Sequence, residues 1–566
     1  MHSNCPAPLN IKSLLACIAL MLCQLSLYGQ GKSTIDIKQA GELLYEDVGD
    51  ESIRKLIGNV ILQQNDVLLY CDSALLYAES KKTKAFGNVR IVQENKFNAR
   101  SRYLEYDGQT KDALLRQDVF LTDGEMNLTT QELHYNTRSK IARYYVGATI
   151  TNQEATLTSK KGTYDSNIKQ FYFKEKVRLK HPDFDLVADT LHYNNLSERA
   201  DFFGPTDITS KRTISYTEAG WYKIKTKESF FTKEGYVAID SQQFIKADTI
   251  YFNESDDRGY CKGGVQMLDT VERTEIRGGH TIFDRKAGWN RVYQHPLLAN
   301  FGDSDTLYLT ADTIYQYKQG DTSSVLRAWN NTVITRADLL VNCDSLSYVE
   351  VDSMFRLFEA PIIWSDEFQI SAEYMELFTR DKEFDRLEMY REGFLVKEED
   401  TVRFSQIKGK NMTAWFENRQ IARMDVKGNG ESIYYVERDD GSFMGANKIE
   451  SSDITIVMED NRPVEITFYV KPVAVLHPID QVDPYAFRLA GFFWAIERKT
   501  DALARMDTTF ERSPERGLYS KLFPQAAPVG ALPEHEVDPA SLDTKKQEVE
   551  NLPPAIQLLP FQKKEP

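Results

Sequence analysis

The chain has 566 residues, 42% hydrophobic and 27% charged, with a formal net charge of −15. That balance suits a large water-exposed protein with ample apolar side chains for a core. The acidic excess argues against nucleic acid as a partner, and an anionic ligand would have to be held by local basic rims or apolar burial rather than by overall attraction.

Residues 1–30 stand apart. Lys12 is the sole charged side chain ahead of a nearly continuous apolar run at 14–27, which Tyr28-Gly29-Gln30 closes. The run is short for a membrane span and has the layout of a secretory signal peptide cleaved near Gly29; an uncleaved N-terminal anchor is the alternative. Lipoprotein processing fits less well, because Cys17 comes early in the run and bulky Leu22 precedes Cys23. Removing the leader takes one lysine away, so −15 becomes −16, and leaves three of the six cysteines: Cys71, Cys261 and Cys343.

Residues 31–39 are a polar lead-in, and near Gly58-Asn59-Val60 a repeat begins. Tyr77, Tyr106, Tyr135, Tyr164, Tyr193, Tyr222 and Tyr251 follow one another at intervals of 29 residues. Beside them runs a box seen as Cys71-Asp72-Ser73, Ala188-Asp189-Thr190, Ala247-Asp248-Thr249, Ala311-Asp312-Thr313 and Cys343-Asp344-Ser345. A fixed period of this size means an array of small units stacked on one another. Within the copy at 87–115, Val89-Arg90-Ile91 alternates apolar and polar, a polar turn follows at 94–96, and a second extended run covers 97–106 before Asp107-Gly108. Turn formers follow other tyrosines too, as in Asn136-Thr137 and Asn194-Asn195. Two strands of about 10 residues and two turns of about 4 fill the period, so each repeat reads as an antiparallel strand pair.

One face of each strand reads as buried: Val177 and Leu179 alternate with Arg178 and Lys180, and Val265 and Met267 bracket Gln266. The spacing from the boxed Asp to the tyrosine varies, and a one-residue slip reverses the face, so the sequence leaves open which tyrosines point inward. Cys71 and Cys343 occupy the slot that alanine fills in other copies, which marks a small buried residue rather than a ligand or a paired thiol. A seam between two sub-arrays is expected at 208–234 or near 287–302, where the spacing shifts, and beyond 358 the repeat degrades. The expected organisation is a signal peptide at 1–30, a first array at 31–250, a second, more divergent array at 251–470, a docking segment at 471–510 and a Pro-rich disordered tail at 511–566. Within the docking segment, residues 485–505 read as a short element seated on the open end of the array.

Chemistry is scarce. His134 and His192 sit in matching Leu-His-Tyr positions 58 residues apart, which favours a structural slot over a metal ligand. The boxed aspartates lack the glycine-dense loops of calcium-binding solenoids, and the plainer reading is that each caps a turn or bulge at strand entry. No GxSxG, HExxH, GxGxxG or P-loop spacing is present. No catalytic residue, cofactor or metal is expected.

The Ala/Cys-Asp-Ser/Thr-Leu-x-Tyr box followed by Gly-Asn-Val-x-Ile, seen here as Cys71-Asp72-Ser73-Ala74-Leu75 and Gly87-Asn88-Val89-Arg90-Ile91, resembles the OstA-like family. That family includes the periplasmic lipopolysaccharide transport protein LptA and the N-terminal domain of the outer-membrane translocon LptD. The first box is one residue longer before its Leu than the family pattern. The resemblance covers most of residues 40–460 and implies an all-β fold, an elongated open β-jellyroll of about 13 two-strand repeats whose two sheets hold acyl chains between them. It implies a non-enzymatic periplasmic bridge or adaptor associated with the outer membrane. Its partners would be lipopolysaccharide or a related lipid, other jellyroll-containing transport proteins joined by edge-strand addition, and the outer-membrane translocon. Candidate lipid-facing positions are Ile91, Val119, Val177, Leu179, Val265 and Met267. The competing readings are a structural or adhesive β-array of the envelope and a solenoid enzyme acting on polysaccharide, for which the sequence holds no site.

Overall fold

The computed structural model describes residues 35–512, apart from 65–66, 94–96, 123–126, 152–154, 303–304, 321–322, 381–382, 460–461 and single residues at 166, 183, 195, 212, 224, 240, 254, 366 and 439. The signal peptide expected at 1–30 lies outside the described residues, as does the expected tail except for Glu511 and Arg512.

The repeat is a pair of antiparallel strands, and each strand is bent at its middle. Lys82–Gln93 and Phe97–Asp107 illustrate it. Phe86 stands opposite Tyr103 and Val89 opposite Ser101, so Gly87 and Asn88 together face the single residue Arg102. Gly87 and Asn88 both take positive φ, 69° and 40°. Two residues against one is a β-bulge, and a bulge turns its strand. The same two-for-one count puts Gly58-Asn59 opposite Asp72, Gln117-Asp118 opposite Gln131, Glu175-Lys176 opposite Asp189, and Asn330-Asn331 opposite Asp344. The bends therefore fall in line across successive strands. Sequence reasoning placed Gly-Asn at the start of a copy and the boxed Asp at strand entry; both lie at mid-strand.

Each bend divides a strand into two arms, and the buried positions show how the arms meet. In Gln170–Lys180, Phe171 and Phe173 are buried before the bend, and Val177 and Leu179 after it. In Phe184–Asn194, Leu191 and Tyr193 are buried on one arm, and Leu186 and Ala188 on the other. A lone sheet covers neither face. Burial of alternate residues on both arms, in one continuous cluster, means that the arms fold over and cover each other. The all-β fold is thus an antiparallel sheet creased along its line of bulges. Thirty-six strands are described, and eight pairs of them are the two arms of one interrupted strand, as in Ile141–Tyr144 with Ala148–Thr151. That makes 28 bent strands, or fourteen two-strand repeats, against the expected thirteen or so.

The described chain divides into two compact units, one of residues up to 241 with 248–255, the other of 242–247 with residues from 256 onward. The first has a core running from Leu56 to Tyr222. The second has its own, from Ile276 to Ile456.

At one end of the strands the hairpins share a built-in turn. Asp107 accepts hydrogen bonds from the backbone N–H groups of Gln109 and Thr110 at 2.8 and 3.0 Å, and Asn136 and Asn194 do the same for the residues after them. A left-handed residue then returns the chain: Lys111, Lys140, Lys169, Glu198. Each turn also ties to the one before, with the Asn136 amide donating to the Thr110 carbonyl at 3.1 Å and the Asn167 amide to the Ser139 carbonyl at 2.7 Å. Neighbouring repeats are therefore stapled at this rim by side chains as well as by the sheet.

The C-terminal segment ends in the helix Ile496–Arg512. Its Ala502 and Met506 pack on Leu297, Val333, Leu340, Ile362 and Trp364, which belong to strands inside the second unit. These are the alternates of core residues such as Leu298, Ile334, Leu339, Val341 and Ile363. The segment therefore lies across the outward face of the sheet, not on the end of the array.

Candidate lipid slot and strand edges

The inward faces of the two arms are chemically distinct. On the arm beyond the bend, a ladder of aliphatic side chains runs across the first unit without a break. Leu69 stands opposite Ile91, Ile91 opposite Ala99, Ala99 opposite Leu121, and Leu121 opposite Leu128. It goes on through Ile150, Leu157, Leu179, Leu186 and Ile208. On the facing arm the corresponding rung alternates tyrosine with smaller or flat residues: Tyr106, Ala113, Tyr135, Ala142, Tyr164, Phe171, Tyr193, Ala200, Tyr222. A greasy wall thus faces an aromatic one.

Of the six candidate positions, Val119, Val177, Leu179 and Val265 are buried, while Ile91 and Met267 are half-buried. Ile91, Val119, Val177 and Leu179 belong to or pack on the first unit's core. Val265 and Met267 lie in the second unit. The interior is not uniform. Between Ile150 and Leu186 the ladder is sealed, with Leu157 and Val177 at 0% exposure. Toward the first edge, Ile37, Leu69, Leu76 and Ile91 line the same interior but are only partly covered. Sequence reasoning missed Ile37, Leu69 and Leu76. Leu69 was within reach: it lies two residues before Cys71, whose alanine-like slot marks the inward face.

Each unit exposes an edge strand. Glu42–Val48 is exposed at every residue and carries Leu43, Leu44, Tyr45 and Val48 into solvent. Val473–Pro478 exposes Val473, Val475 and Leu476.

The remaining candidates for chemistry are structural. Cys71, Cys261 and Cys343 are buried and unpaired, and burial pushes their thiols up to about 11, 12 and 12. His134 pairs with Glu132 at 2.6 Å on the outward face. His192 lies against Tyr172 and Phe203, and burial lowers its pKa. Among the described residues no group of three or more His, Cys, Asp or Glu could hold a metal ion, and no helix is long and apolar enough to cross a membrane.

Among solved structures, the chain is similar to LptH of Pseudomonas aeruginosa, the LptA-homologous periplasmic component of a lipopolysaccharide transport device. Identity is 16% over 23% of this chain and 78% of that one, with a TM-score of 0.12. A WD40 domain of SCAP from fission yeast aligns at 8% identity and a TM-score of 0.11, over 71% of this chain and 96% of that one. Superpositions this loose carry no argument. No curated protein matches. Residues 32–189 match the family of OstA-like proteins, and within them lie the Asp72 box, the Gly87-Asn88 bend and the aliphatic ladder from Leu69 to Leu186. The bent two-strand repeat of that OstA-like segment continues through the described strands beyond residue 189.

Proposed function

We propose that this chain is a non-enzymatic periplasmic bridge or adaptor in lipopolysaccharide transport and outer-membrane assembly, which shields acyl chains between the two arms of its creased sheet. The observation that carries the reading is the unbroken inward ladder of aliphatic side chains, half-open at Leu69 and Ile91 near the first edge. An acyl chain entering there trades water for hydrocarbon, worth about 0.8 kcal/mol per buried CH₂. The exposed edge strands Glu42–Val48 and Val473–Pro478 suit partners that add a strand, such as other jellyroll transport proteins or the outer-membrane translocon. The OstA-like match over residues 32–189 points the same way.

One observation favours a second reading, a structural or adhesive array of the envelope that binds protein by its edges. The stretch from Ile150 to Leu186 is sealed by its own side chains, so lipid enters there only if the arms part. Photo-crosslinking in living cells separates the two. A photoreactive residue replaces Ile91, Val177 or the outward Arg178 in turn. Lipopolysaccharide adducts at 91 and 177 with none at 178 support transport. Absence of lipid adducts at all three, with protein adducts on Glu42–Val48, overturns it in favour of the structural array.

A further inference from the structure

The outward face of the second unit carries a cluster that the lipid reading does not use. Three adjacent strands, Trp289–Tyr293, Thr313–Gln319 and Ser323–Arg336, set Trp289 opposite Tyr317, Arg291 opposite Tyr315, and Tyr315 opposite Arg327. Tyr315 is the hub. Its ring centroid lies 5.9 Å from Trp289, 5.3 Å from Tyr317 and 5.9 Å from Trp329, the last two stacked. The Arg291 guanidinium sits 5.4 Å from the ring of Tyr315, and that of Arg327 5.4 Å from the ring of Tyr317. Both arginines are exposed and the four rings are half-buried, so the cluster is open to solvent. These residues alternate with the core positions Val292, Ile314 and Ala328, which fixes them on the side of the sheet away from the interior.

The arginines are what set this patch apart. On the same face, Arg356 pairs with Glu376 at 3.6 Å, Arg386 with Glu388 at 2.8 Å and Arg423 with Asp425 at 3.0 Å. The chain has 84 acidic side chains against 69 basic ones, so acid partners are plentiful. Yet among the described residues neither Arg291 nor Arg327 has a carboxylate within ion-pair reach; an aromatic ring occupies that place. A stabilising cross-strand pair needs no such arrangement, because a Glu at position 315 would serve both arginines at once.

We propose that this platform binds an anionic saccharide. Aromatic rings on a sheet offer apolar faces to the C–H faces of sugar rings, and a guanidinium fork pairs in bidentate fashion with a carboxylate or phosphate. The uncommitted cations supply the charge complementarity that the acidic chain as a whole lacks. Three strands at about 4.8 Å spacing, with alternate side chains about 7 Å apart, span roughly two or three sugar rings. The site is independent of what fills the interior, since it lies on the opposite face of the sheet.

The test titrates the full chain with tetragalacturonate, an acidic tetrasaccharide, and with neutral maltotetraose, following tryptophan fluorescence and calorimetric heat. Saturable binding of the acidic sugar alone is expected, with Arg291→Gln/Arg327→Gln weakening it about ten-fold or more. Tyr315→Leu weakens it as well, and Arg327→Lys, which keeps charge but loses the fork, gives a partial loss. Arg423→Gln, on the same face but acid-paired, leaves binding unchanged. Thermal melts check that each variant folds, and all the substituted arginines are at the surface. No saturable binding, equal binding of the neutral sugar, or an unchanged affinity in the double variant overturns the proposal.

Discussion

Gly87 and Asp72 pack bend against bend. A Cβ on Gly87 would stand 2.2 Å from an Asp72 carboxylate oxygen, and the Asn88 amide donates to both oxygens of that carboxylate at 2.9 and 3.2 Å. Gly204 meets Asp189 in the same way, with a Cβ at 3.1 Å from that residue's own. The Gly-Asn pair and the boxed Asp are therefore two halves of one device. The glycine lets a strand turn with positive φ, and the aspartate of the preceding strand fills the space that its missing side chain leaves.

Gly87→Ala is expected to destabilise the chain by roughly 1–3 kcal/mol, from left-handed strain plus displacement of Asp72. Gly49 also has positive φ, 62°, but nothing lies within 4 Å of its added Cβ. Gly49→Ala is thus a control that pays the backbone term alone. Adding Asp72→Ala to Gly87→Ala should recover part of the loss, so the pair is non-additive in a double-mutant cycle. Urea unfolding reads the four proteins of the cycle and Gly49→Ala. Equal costs at Gly87 and Gly49 would sink the packing argument.

Tyr193 is wholly buried in the first core, and its hydroxyl finds no hydrogen-bond partner among the described residues. Burial raises its pKa, which keeps the phenol neutral. Tyr193→Phe removes a buried hydroxyl that satisfies nothing, so it should be neutral or stabilising by up to about 1 kcal/mol. Tyr193→Ala removes a ring from a packed wall and should cost about 3–5 kcal/mol. A marked loss in Tyr193→Phe, measured by thermal unfolding, would mean that the hydroxyl is bonded after all.

The sequence held more of this than its period alone suggests. The repeat, the strand pair and the alternation were legible from the tyrosine spacing and from runs such as Val177-Arg178-Leu179. Which tyrosines point inward was also there, as a parity rule. Tyr106, Tyr135, Tyr164, Tyr193 and Tyr222 lie four residues past the bend position on their strands and face the interior. Tyr77 lies five past Asp72 and faces outward, toward Lys84, because its box is one residue longer. Tyr315 lies three past Asp312 and faces outward as well. The rule needs the bend to be known, and a bulge at mid-strand looks, in sequence, like a turn between strands: both use Gly and Asn at positive φ. The seat of the C-terminal helix was not legible. It depends on alternate residues such as Leu340 and Trp364 being apolar on a face that elsewhere is polar, and strands buried on both faces lose the period that reveals them.

Acid sensitivity should trace to the rim turns. Backbone N–H groups of Thr110 and Gln109, with Lys82 nearby, hold the Asp107 carboxyl below its usual range. Its folded pKa lies under its unfolded one, so its contribution is present above about pH 4 and is lost as pH falls through the folded value. Asp107→Asn keeps the cap without the charge. The variant should melt slightly below the parent at pH 7, and that gap should close as pH drops from 5 to 3. A gap that holds constant across that range, by calorimetry, would assign the acid response to other groups, such as Asp284, whose carboxyl the Ala287 N–H and Arg258 hold down in the same way.

The C-terminal segment is pinned by two buried glutamines on the outward face. Gln369, at 0% exposure, donates to the Phe493 carbonyl at 3.0 Å and accepts from the Ala495 N–H at 2.8 Å. Gln406 accepts from the Leu489 N–H at 2.8 Å. Around them Phe404 meets Phe492 and Trp494, and the Arg488 guanidinium lies 4.6 Å from the Phe492 ring. Gln369→Leu keeps the shape but leaves a buried N–H and carbonyl unpaired, at a cost of about 1–3 kcal/mol. If the segment opens as a unit, that loss appears as faster amide exchange throughout the helix Ile496–Arg512, by about ten-fold or more, with no change in Gln170–Lys180 of the other unit. The partly exposed Arg505–Asp312 pair, 2.7 Å apart, is the contrast. Arg505→Ala should change exchange far less, because solvent screens such pairs to under about 1 kcal/mol. Exchange that speeds equally in both variants would mean that the segment is held by its ion pair and apolar contacts, with the glutamines as bystanders.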